Sequence, residues 1–176
     1  AKPYATSFID GTRSPETLTI PTTGVLNLTE GTIEIAVYED GRSGTTRFIF
    51  DTNNVTNRFV LYKPLWTDKI AVYYNGGDRI IAPSVLSIGW HIIVVKWIGS
   101  YLYMYIDGLQ VGSWNRGSNI DLTGINTLYI GSAYNSTQQW DNLIDDLRIS
   151  NRARTDEEIF AAYASGQPLP ADEWTT

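Results

Sequence analysis

Paired carboxylates in this sequence can be compared with the carboxylate pairs that hydrolyse glycosidic bonds, because such pairs need a defined separation. Glu30 and Glu34 lie four positions apart in a stretch of β-forming residues. On a strand that rises ~3.3 Å per residue, their carboxylates would be about 13 Å apart. A retaining pair needs about 5–5.5 Å and an inverting pair about 6.5–9.5 Å. Asp141 and Asp145 have the same unsuitable spacing. The sequence therefore predicts no catalytic residues and no enzyme, with a pair from two different strands left open.

The histidine and cysteine content narrows the chemistry further. The 176 residues include one histidine, His91, and no cysteine. Without cysteine, the chain has no disulfide, thiol nucleophile or thiolate metal site. A single histidine argues against a zinc hydrolase or a serine–histidine–aspartate enzyme, and we interpret His91 as a hydrogen-bonded structural residue. The net charge of −6 argues against nucleic acid as a partner, because its backbone requires a basic face. No apolar run approaches the ~20 residues of a membrane span, so we expect no membrane insertion.

Aromatic residues are the main candidates for ligand contact, because flat rings stack on the C–H faces of sugars while amides and carboxylates bind the hydroxyls. Aromatic residues make up 12% of the chain, against 18% charged residues. Several aromatics fall in predicted loops, where binding residues are more common than in strands. These loop candidates are Trp66, Trp114 and Tyr134, the last beside Asn135 in a polar stretch. Packing over the edge of the fold is the alternative for each ring.

Tyrosines on predicted strands form a second group of candidates. By strand alternation, Leu102, Met104 and Ile106 point to the core, and the tyrosines between them point the other way. Such a row of rings is either a second packed layer or a binding platform. We include Tyr103 and Tyr105 as candidate ligand contacts, together with Tyr73 on the predicted strand Lys69–Tyr74.

Asp145 is unusual because alternation places it on the apolar face of its strand. Leu143, Asp145, Leu147 and Ile149 share one face, which we expect to point to the core. An unpaired buried carboxylate is costly. Backbone amides of a nearby turn, an arginine or a calcium ion are the three partners left open for it.

Short β-forming stretches separated by Gly, Asn and Asp make up most of the chain, which is the pattern of an all-β sandwich or barrel. Asn75-Gly76 and Asp107-Gly108 predict two tight hairpins. The predicted strands are Tyr4–Ile9, Thr17–Ile20, Thr32–Tyr38, Arg47–Phe50, Arg58–Lys63, Lys69–Tyr74, Arg79–Ile81, Trp90–Trp97, Leu102–Ile106, Leu109–Val111, Thr127–Ile130 and Leu143–Ile149.

One helix is predicted near the C-terminus. Thr155 and Glu158 form a capping box, and Gly166 with the prolines after it ends the helix. We expect this helix to close one edge or end of the sandwich. Residues 167–176 have the composition of a linker, so we expect a module of a longer polypeptide, with the neighbouring domains of that protein as partners.

Several motifs, in order along the chain, resemble the laminin-G-like, concanavalin-A-like jelly-roll family. The stretch Ser7 to Gly11 resembles its opening strand, and Gly31 to Ile35 resembles its third strand. Gly89 to Trp97, followed by Tyr105-Ile106-Asp107-Gly108, resembles its central hairpin. Ile144 to Ile149 resembles a closing strand. The resemblance implies a two-sheet antiparallel jelly-roll sandwich over residues 1–166, with one short C-terminal helix.

The resemblance also implies a structural calcium ion in many family members. The first and last strands of a jelly roll commonly lie side by side, which would bring Asp10 close to Asp145. Carboxylates, backbone carbonyls and water are the ligands that Ca²⁺ prefers. Asp10 and Asp145 are therefore the candidate metal ligands.

The family includes lectins, carbohydrate-binding modules, adhesion domains and glycosidases, so the fold alone does not give the function. We predict a non-catalytic module that binds a polysaccharide or cell-surface glycan. Its parent would be a secreted or cell-surface protein, or a phage tail component. A structural or protein–protein interaction domain is the main alternative, and a glycoside hydrolase is a further one.

Overall fold

Two antiparallel β-sheets packed face to face form the body of the protein in the computed structural model, which describes residues 6–7, 17–23, 26, 29–52 and 56–166. In the described part of the chain, sheet 1 has the strand order β1-β12-β3-β8-β9-β10, and sheet 2 has the order β2-β11-β4-β5-β6-β7. The strands are β1 (Thr6–Ser7), β2 (Leu18–Pro21), β3 (Glu30–Glu39), β4 (Arg47–Thr52), β5 (Phe59–Lys63), β6 (Ala71–Tyr74), β7 (Gly77–Ile81), β8 (Gly89–Ile98), β9 (Tyr101–Ile106), β10 (Leu109–Asn115), β11 (Thr127–Ile130) and β12 (Leu143–Ser150).

Each sheet contributes alternate residues to a shared core. Sheet 1 supplies Ile33, Ile35, Val95, Trp97 and Met104, and sheet 2 supplies Phe50, Phe59, Leu61, Tyr74 and Leu128. All ten are essentially inaccessible to solvent. The ring of Trp97 lies against Gly31, where a Cβ atom would come within 2.2 Å of it. The predicted two-sheet sandwich is confirmed, and so is the alternation in β5, β8 and β9.

The two predicted hairpins are also confirmed. Asn75-Gly76 joins β6 to β7, and Asp107-Gly108 joins β9 to β10. All four turn residues have positive φ, between 44° and 87°. These values match the left-handed pair of central residues that a two-residue hairpin turn requires.

The predicted helix is present as α1 (Asp156–Ser165). The hydroxyl of Thr155 accepts from the Glu158 amide, the Glu158 carboxylate accepts from the Thr155 amide, and Gly166 ends the helix at φ 60°. Ile159 packs against Val94 and Tyr105, on the side of sheet 1 that faces away from sheet 2. The helix therefore covers the outer face of sheet 1 rather than an edge or end of the sandwich. In the described residues, no helix has the length and apolar character that crossing a membrane requires.

Candidate functional site

The outer face of sheet 2 carries a group of aromatic rings around one arginine. We call Phe48, Arg58, Tyr62, Tyr73 and Tyr134 the Arg58 cluster. The Arg58 guanidinium carbon lies 5.1 Å from the ring centre of Tyr134, 5.6 Å from that of Phe48 and 5.9 Å from that of Tyr73. The rings of Phe48 and Tyr62 are 5.2 Å apart. These distances are within the range of cation–π and aromatic-pair contacts.

Asp51 fixes the position of the Arg58 guanidinium. Arg58 donates from Nε and Nη2 to the two carboxylate oxygens of Asp51, at 2.8 and 2.5 Å. Asp51 is fully buried and also accepts from the backbone amides of Thr52 and Tyr134, at 2.7 and 2.9 Å. The hydrogen bonds to Asp51 raise the pKa of Arg58 above its ordinary value. The cation is therefore held in one orientation beneath the rings.

The loop between β11 and β12 places Tyr134 over this arginine. The Gly131 amide donates to the Ile49 carbonyl at 2.8 Å, and the Phe48 amide donates to the Gln138 carbonyl at 3.0 Å. Ala133 is buried against Phe48 and Val60. Tyr134 itself remains 46% exposed, with Asn135 exposed next to it. Because the loop is bonded to β4 by these two backbone hydrogen bonds and by the one from the Tyr134 amide to Asp51, the Tyr134 ring is presented on a fixed support.

A second carboxylate borders the Arg58 cluster. The hydroxyl of Tyr62 donates to Asp78 Oδ1 at 2.6 Å. Burial is the main cause that raises the pKa of Tyr62, and the hydrogen bond to Asp78 raises it further. The cluster therefore combines exposed aromatic surface with a partly exposed guanidinium and, beside it, the partly exposed Asp78 carboxylate. This combination suits a ligand that has both apolar faces and hydroxyl groups.

Of the residues predicted from sequence, Tyr73 and Tyr134 belong to this cluster and Asn135 lies at its border. Arg58, Asp51 and Asp78 were missed. Strand alternation places Val60 and Tyr62 on the outer face, and the same alternation places Arg58 there. The sequence therefore contained a signal that could have identified Arg58. Asp51 lay beyond the predicted end of its strand, and its contact with Arg58 depends on how β4 pairs with β5.

Tyr103 and Tyr105 lie on the outer face of the other sheet, as alternation predicted. The rings of Tyr101 and Tyr103 are stacked 5.8 Å apart, and Tyr101 is 41% exposed. Tyr105 is 1% exposed because α1 covers it, and its hydroxyl donates to Asp156 at 2.6 Å. Burial, followed by that hydrogen bond, raises the pKa of Tyr105. A ring buried beneath a helix cannot stack on a ligand, so Tyr105 is not part of an exposed platform.

The two tryptophan candidates occupy different environments. Trp66 is 62% exposed in the loop after β5, where the Thr67 and Asp68 amides donate to the Pro64 carbonyl. Trp114 was predicted in a loop, but β10 extends to Asn115 and places the ring partly buried against the core. It lies 6.1 Å from Tyr74, with Arg79 over its face at 4.9 Å. Trp114 therefore packs against the core while part of its surface stays accessible, and its contact with a ligand stays a prediction. Trp66 remains available to a ligand.

The prediction that Asp145 points to the core is wrong. Asp145 pairs with Ala36 and Arg148 with Glu34, so β12 has one extra residue between these two pairs. This β-bulge, with Asp146 at φ 50°, reverses the alternation, and Ile144 is the residue packed in the core. Asp145 Oδ1 accepts from the Asp146 amide at 2.8 Å, which is the turn-amide alternative.

Calcium binding stays a prediction. Asp10 lies outside the described residues. Within the described ranges, no three acidic or histidine side chains come together as a metal site. Asp145 alone is too small a ligand set for Ca²⁺, which takes six to eight oxygen ligands.

The remaining acidic and histidine candidates have structural partners. Glu34 is buried and accepts from Arg148 at 2.7 Å, and Glu30 accepts from the Ala153 amide at 3.1 Å. His91 is buried, with Nδ1 2.7 Å from Asp107 and Nε2 2.9 Å from the Ser87 carbonyl. Both ring nitrogens therefore have hydrogen-bond partners, as expected for a structural histidine.

Solved structures with the same architecture include several carbohydrate-binding domains. Domain 4 of a GH43 extracellular arabinanase from Geobacillus stearothermophilus, in complex with arabinotriose, has a TM-score of 0.66 and 15% identity over 78% of this chain and 68% of that one. The CBM40 domain of the Ruminococcus gnavus IT-sialidase, bound to α2,3-sialyllactose, has a TM-score of 0.62 and 13% identity over 86% of this chain and 100% of that one. A heptameric SAP-like pentraxin from Limulus polyphemus has a TM-score of 0.65 and 17% identity, over 93% and 83%.

At these identities the likeness concerns the fold. Among curated proteins, no sequence matches this chain. A sequence model of one superfamily does match it, over residues 11–160, which is most of its length. The chain belongs to the concanavalin A-like lectin/glucanases superfamily.

Proposed function

We propose that this domain is a non-catalytic carbohydrate-binding module whose ligand lies on the Arg58 cluster. The observation that carries the proposal is the exposed Tyr134 ring held over Arg58, with the guanidinium fixed from below by Asp51 and the Asp78 carboxylate beside the cluster. A sugar ring can stack on Tyr134 or Tyr73 through its C–H groups while its hydroxyls meet the polar groups. The similar fold of the arabinanase domain and the CBM40 domain supports carbohydrate as the ligand class.

The proposal places this module in a secreted, cell-surface or phage tail protein, where it would attach the parent to a polysaccharide or cell-surface glycan. In this proposal the domain catalyses no reaction. Glu30 and Glu34, the pair compared above with the carboxylates of a glycosidase, accept from Ala153 and Arg148, and these partners hold them in structural roles. Incubation with a β-glucan should release no reducing sugar, and measurable release would contradict this part of the proposal.

The binding site can be tested with a glycan array, followed by a pull-down on the polysaccharide that the array identifies. Tyr134→Ala is expected to weaken binding about tenfold, equivalent to about 1.4 kcal/mol, because it removes the stacking surface. Tyr101→Ala is the matched control, since Tyr101 is 41% exposed against 46% for Tyr134 but lies on sheet 1. Weaker binding only in the Tyr101 variant would move the site to the other sheet. No retention by any glycan would overturn the module itself.

A protein-interaction domain is the second candidate, favoured by apolar surface beside α1. A cleft of about 350 Å³ is lined by Tyr105, Leu109, Gln110, Asp156 and Phe160. Leu109 is 63% exposed and Phe160 is 51% exposed. This candidate predicts a stable oligomer in analytical ultracentrifugation, disrupted by Phe160→Ser, together with no glycan binding.

A further inference from the structure

The charged groups in and around the Arg58 cluster have a net negative charge. Arg58 is the one cation among the described residues of the cluster. Its Nε and Nη2 both donate to the Asp51 carboxylate. Asp78 adds a second carboxylate, bonded to Tyr62. In the segment before β6, Lys69 donates from Nζ to the Pro83 carbonyl, at 2.8 Å. The cluster and the two carboxylates bonded to it therefore carry one positive and two negative charges.

Asp51 makes this balance hard to change. Its side chain is fully buried, so it depends on Arg58 for its counter-charge. A carboxylate or sulfate on a ligand would have to share the guanidinium with Asp51 or draw it away. Drawing it away would leave a buried carboxylate without an opposite charge, which is strongly unfavourable.

A neutral sugar meets no such conflict. The N–H groups of Arg58 that do not bind Asp51 can donate to hydroxyl oxygens, and Asp78 can accept from hydroxyl groups. The rings of Tyr73 and Tyr134 require only the C–H face of the sugar.

We infer that the Arg58 cluster takes neutral oligosaccharides and discriminates against sugars that carry a carboxylate or sulfate group. This inference rests on the proposed function and specifies the ligand class of the same site. It separates this domain from the CBM40 neighbour, which was solved with sialyllactose, an acidic sugar.

Matched pairs of probes on one array test the inference. The pairs are lactose with α2,3-sialyllactose, and hydroxyethyl cellulose with carboxymethyl cellulose. Wherever the protein binds at least one member of a pair, we expect the neutral member to bind at least about fivefold more tightly in dilute buffer, because nearby like charges repel strongly at low salt. The difference should narrow in 1 M salt.

Two variants separate a local effect from the charge of the whole chain. Asp78→Asn removes the partly exposed negative group beside the cluster but keeps an acceptor for Tyr62, so the neutral preference should shrink severalfold. Glu157→Gln makes the same change in net charge on the exposed surface of α1, which covers sheet 1, and should leave the preference unchanged.

The outcomes distinguish this inference from the proposed function. Tighter binding of the acidic members, lost with Tyr134→Ala, overturns the inference and leaves the carbohydrate-binding site in place. An equal shift with Glu157→Gln and Asp78→Asn also overturns it, because the effect would then come from total charge. Failure of any sugar on the array to bind overturns the proposed function and the inference together.

Discussion

Arg58 and Asp51 form a two-point ion pair, with nitrogen–oxygen distances of 2.8 and 2.5 Å, beneath the exposed ring of Tyr134. Asp51 is fully buried, whereas 27% of the Arg58 side chain is accessible. Asp51 also accepts from the Tyr134 amide, so one carboxylate orients both the guanidinium and the loop that carries the ring. The stability of the sandwich and the shape of the candidate binding face therefore depend on the same contact.

Arg58→Lys should weaken both properties. Lysine keeps the positive charge but cannot occupy both carboxylate oxygens in the planar arrangement of a guanidinium. We expect urea denaturation to show a loss of about 1.5–3 kcal/mol, the contribution of a hydrogen bond to a charged group, together with weaker glycan retention. Arg42→Lys is the control, because Arg42 pairs with Asp40 at 2.7 Å but is 59% exposed. Equal losses in both variants would contradict the special role of the Arg58 pair.

Trp66 and Trp114 should respond differently to replacement by alanine. Trp114 packs on Tyr74 and against the core, so Trp114→Ala should cost roughly 2–3 kcal/mol, somewhat less than for a fully buried ring. Trp66 is 62% exposed, so Trp66→Ala should change stability by less than about 0.5 kcal/mol. Pull-down of the same two proteins then shows whether Trp66 extends the ligand surface. A large stability loss with Trp66→Ala would mean that its ring has a packing role.

The layered fold could be predicted from the sequence because its determinants are local. Alternating apolar residues in β8 and β9 indicated which side chains face the core, and Asp107-Gly108 has the backbone conformation that a tight hairpin demands. The capping box at Thr155 is a contact over three residues. Each of these features depends on a few residues that are close together in the chain, so it could be predicted directly from the amino-acid sequence.

The candidate site depended on contacts that local patterns do not contain. Asp145 was placed on the wrong face because one extra residue in β12, with Asp146 at φ 50°, reversed the alternation. Tyr105 was placed on the correct face, but the sequence did not show that α1 would cover that face. Arg58 meets Asp51 only through the pairing of β4 with β5. Register shifts and the packing of distant elements were therefore the missing information.

Acid should destabilise the helix through Glu158. The pKa of Glu158 is lowered from 4.5 to about 2, mainly by its hydrogen bonds from Arg152 and to a lesser extent by the hydrogen bond from the Thr155 amide. A carboxylate with a lower pKa in the folded state stabilises that state fully above its unfolded pKa. This stabilisation is therefore present above pH 4.5 and is lost as the pH falls toward 2.

The measurement is the difference in melting midpoint between the parent protein and Glu158→Gln. We expect a clear difference at pH 7 that becomes smaller at pH 3 and nearly vanishes at pH 2. The comparison isolates Glu158, because Asp121 and Asp156 also have lowered pKa values and contribute to acid sensitivity in both proteins. A difference that stays constant between pH 7 and pH 2 would show that the Glu158 charge is not responsible.

A structural calcium ion held by Asp10 and Asp145 would be revealed by chelation. An ion that binds only the folded state stabilises it by mass action. If calcium is bound, we therefore expect EDTA to lower the melting midpoint and added Ca²⁺ to restore it. Asp145→Asn should abolish that calcium-dependent shift. Identical midpoints with and without chelator would remove calcium from the account of this protein.

The two sheets are also joined by an ion pair at one end of the sandwich. Lys63 on β5 of sheet 2 donates to both oxygens of Glu39 on β3 of sheet 1, at 3.0 Å, and both side chains are at most 5% exposed. Lys63→Met would leave the Glu39 carboxylate buried without its cation. Removing one partner of a buried pair typically costs about 3–5 kcal/mol, so we expect a loss of that order in urea denaturation.

The double variant Lys63→Met with Glu39→Met decides whether the cost comes from the unpaired charge. Replacing both partners by apolar side chains removes the desolvation cost of the charges, so the double variant should recover most of the stability lost in Lys63→Met. The Gly41 amide and the Arg42 carbonyl would lose one hydrogen bond each, which limits the recovery. A double variant as unstable as Lys63→Met, or less stable, would show that the pair joins the sheets by a net attraction rather than by satisfying two buried charges.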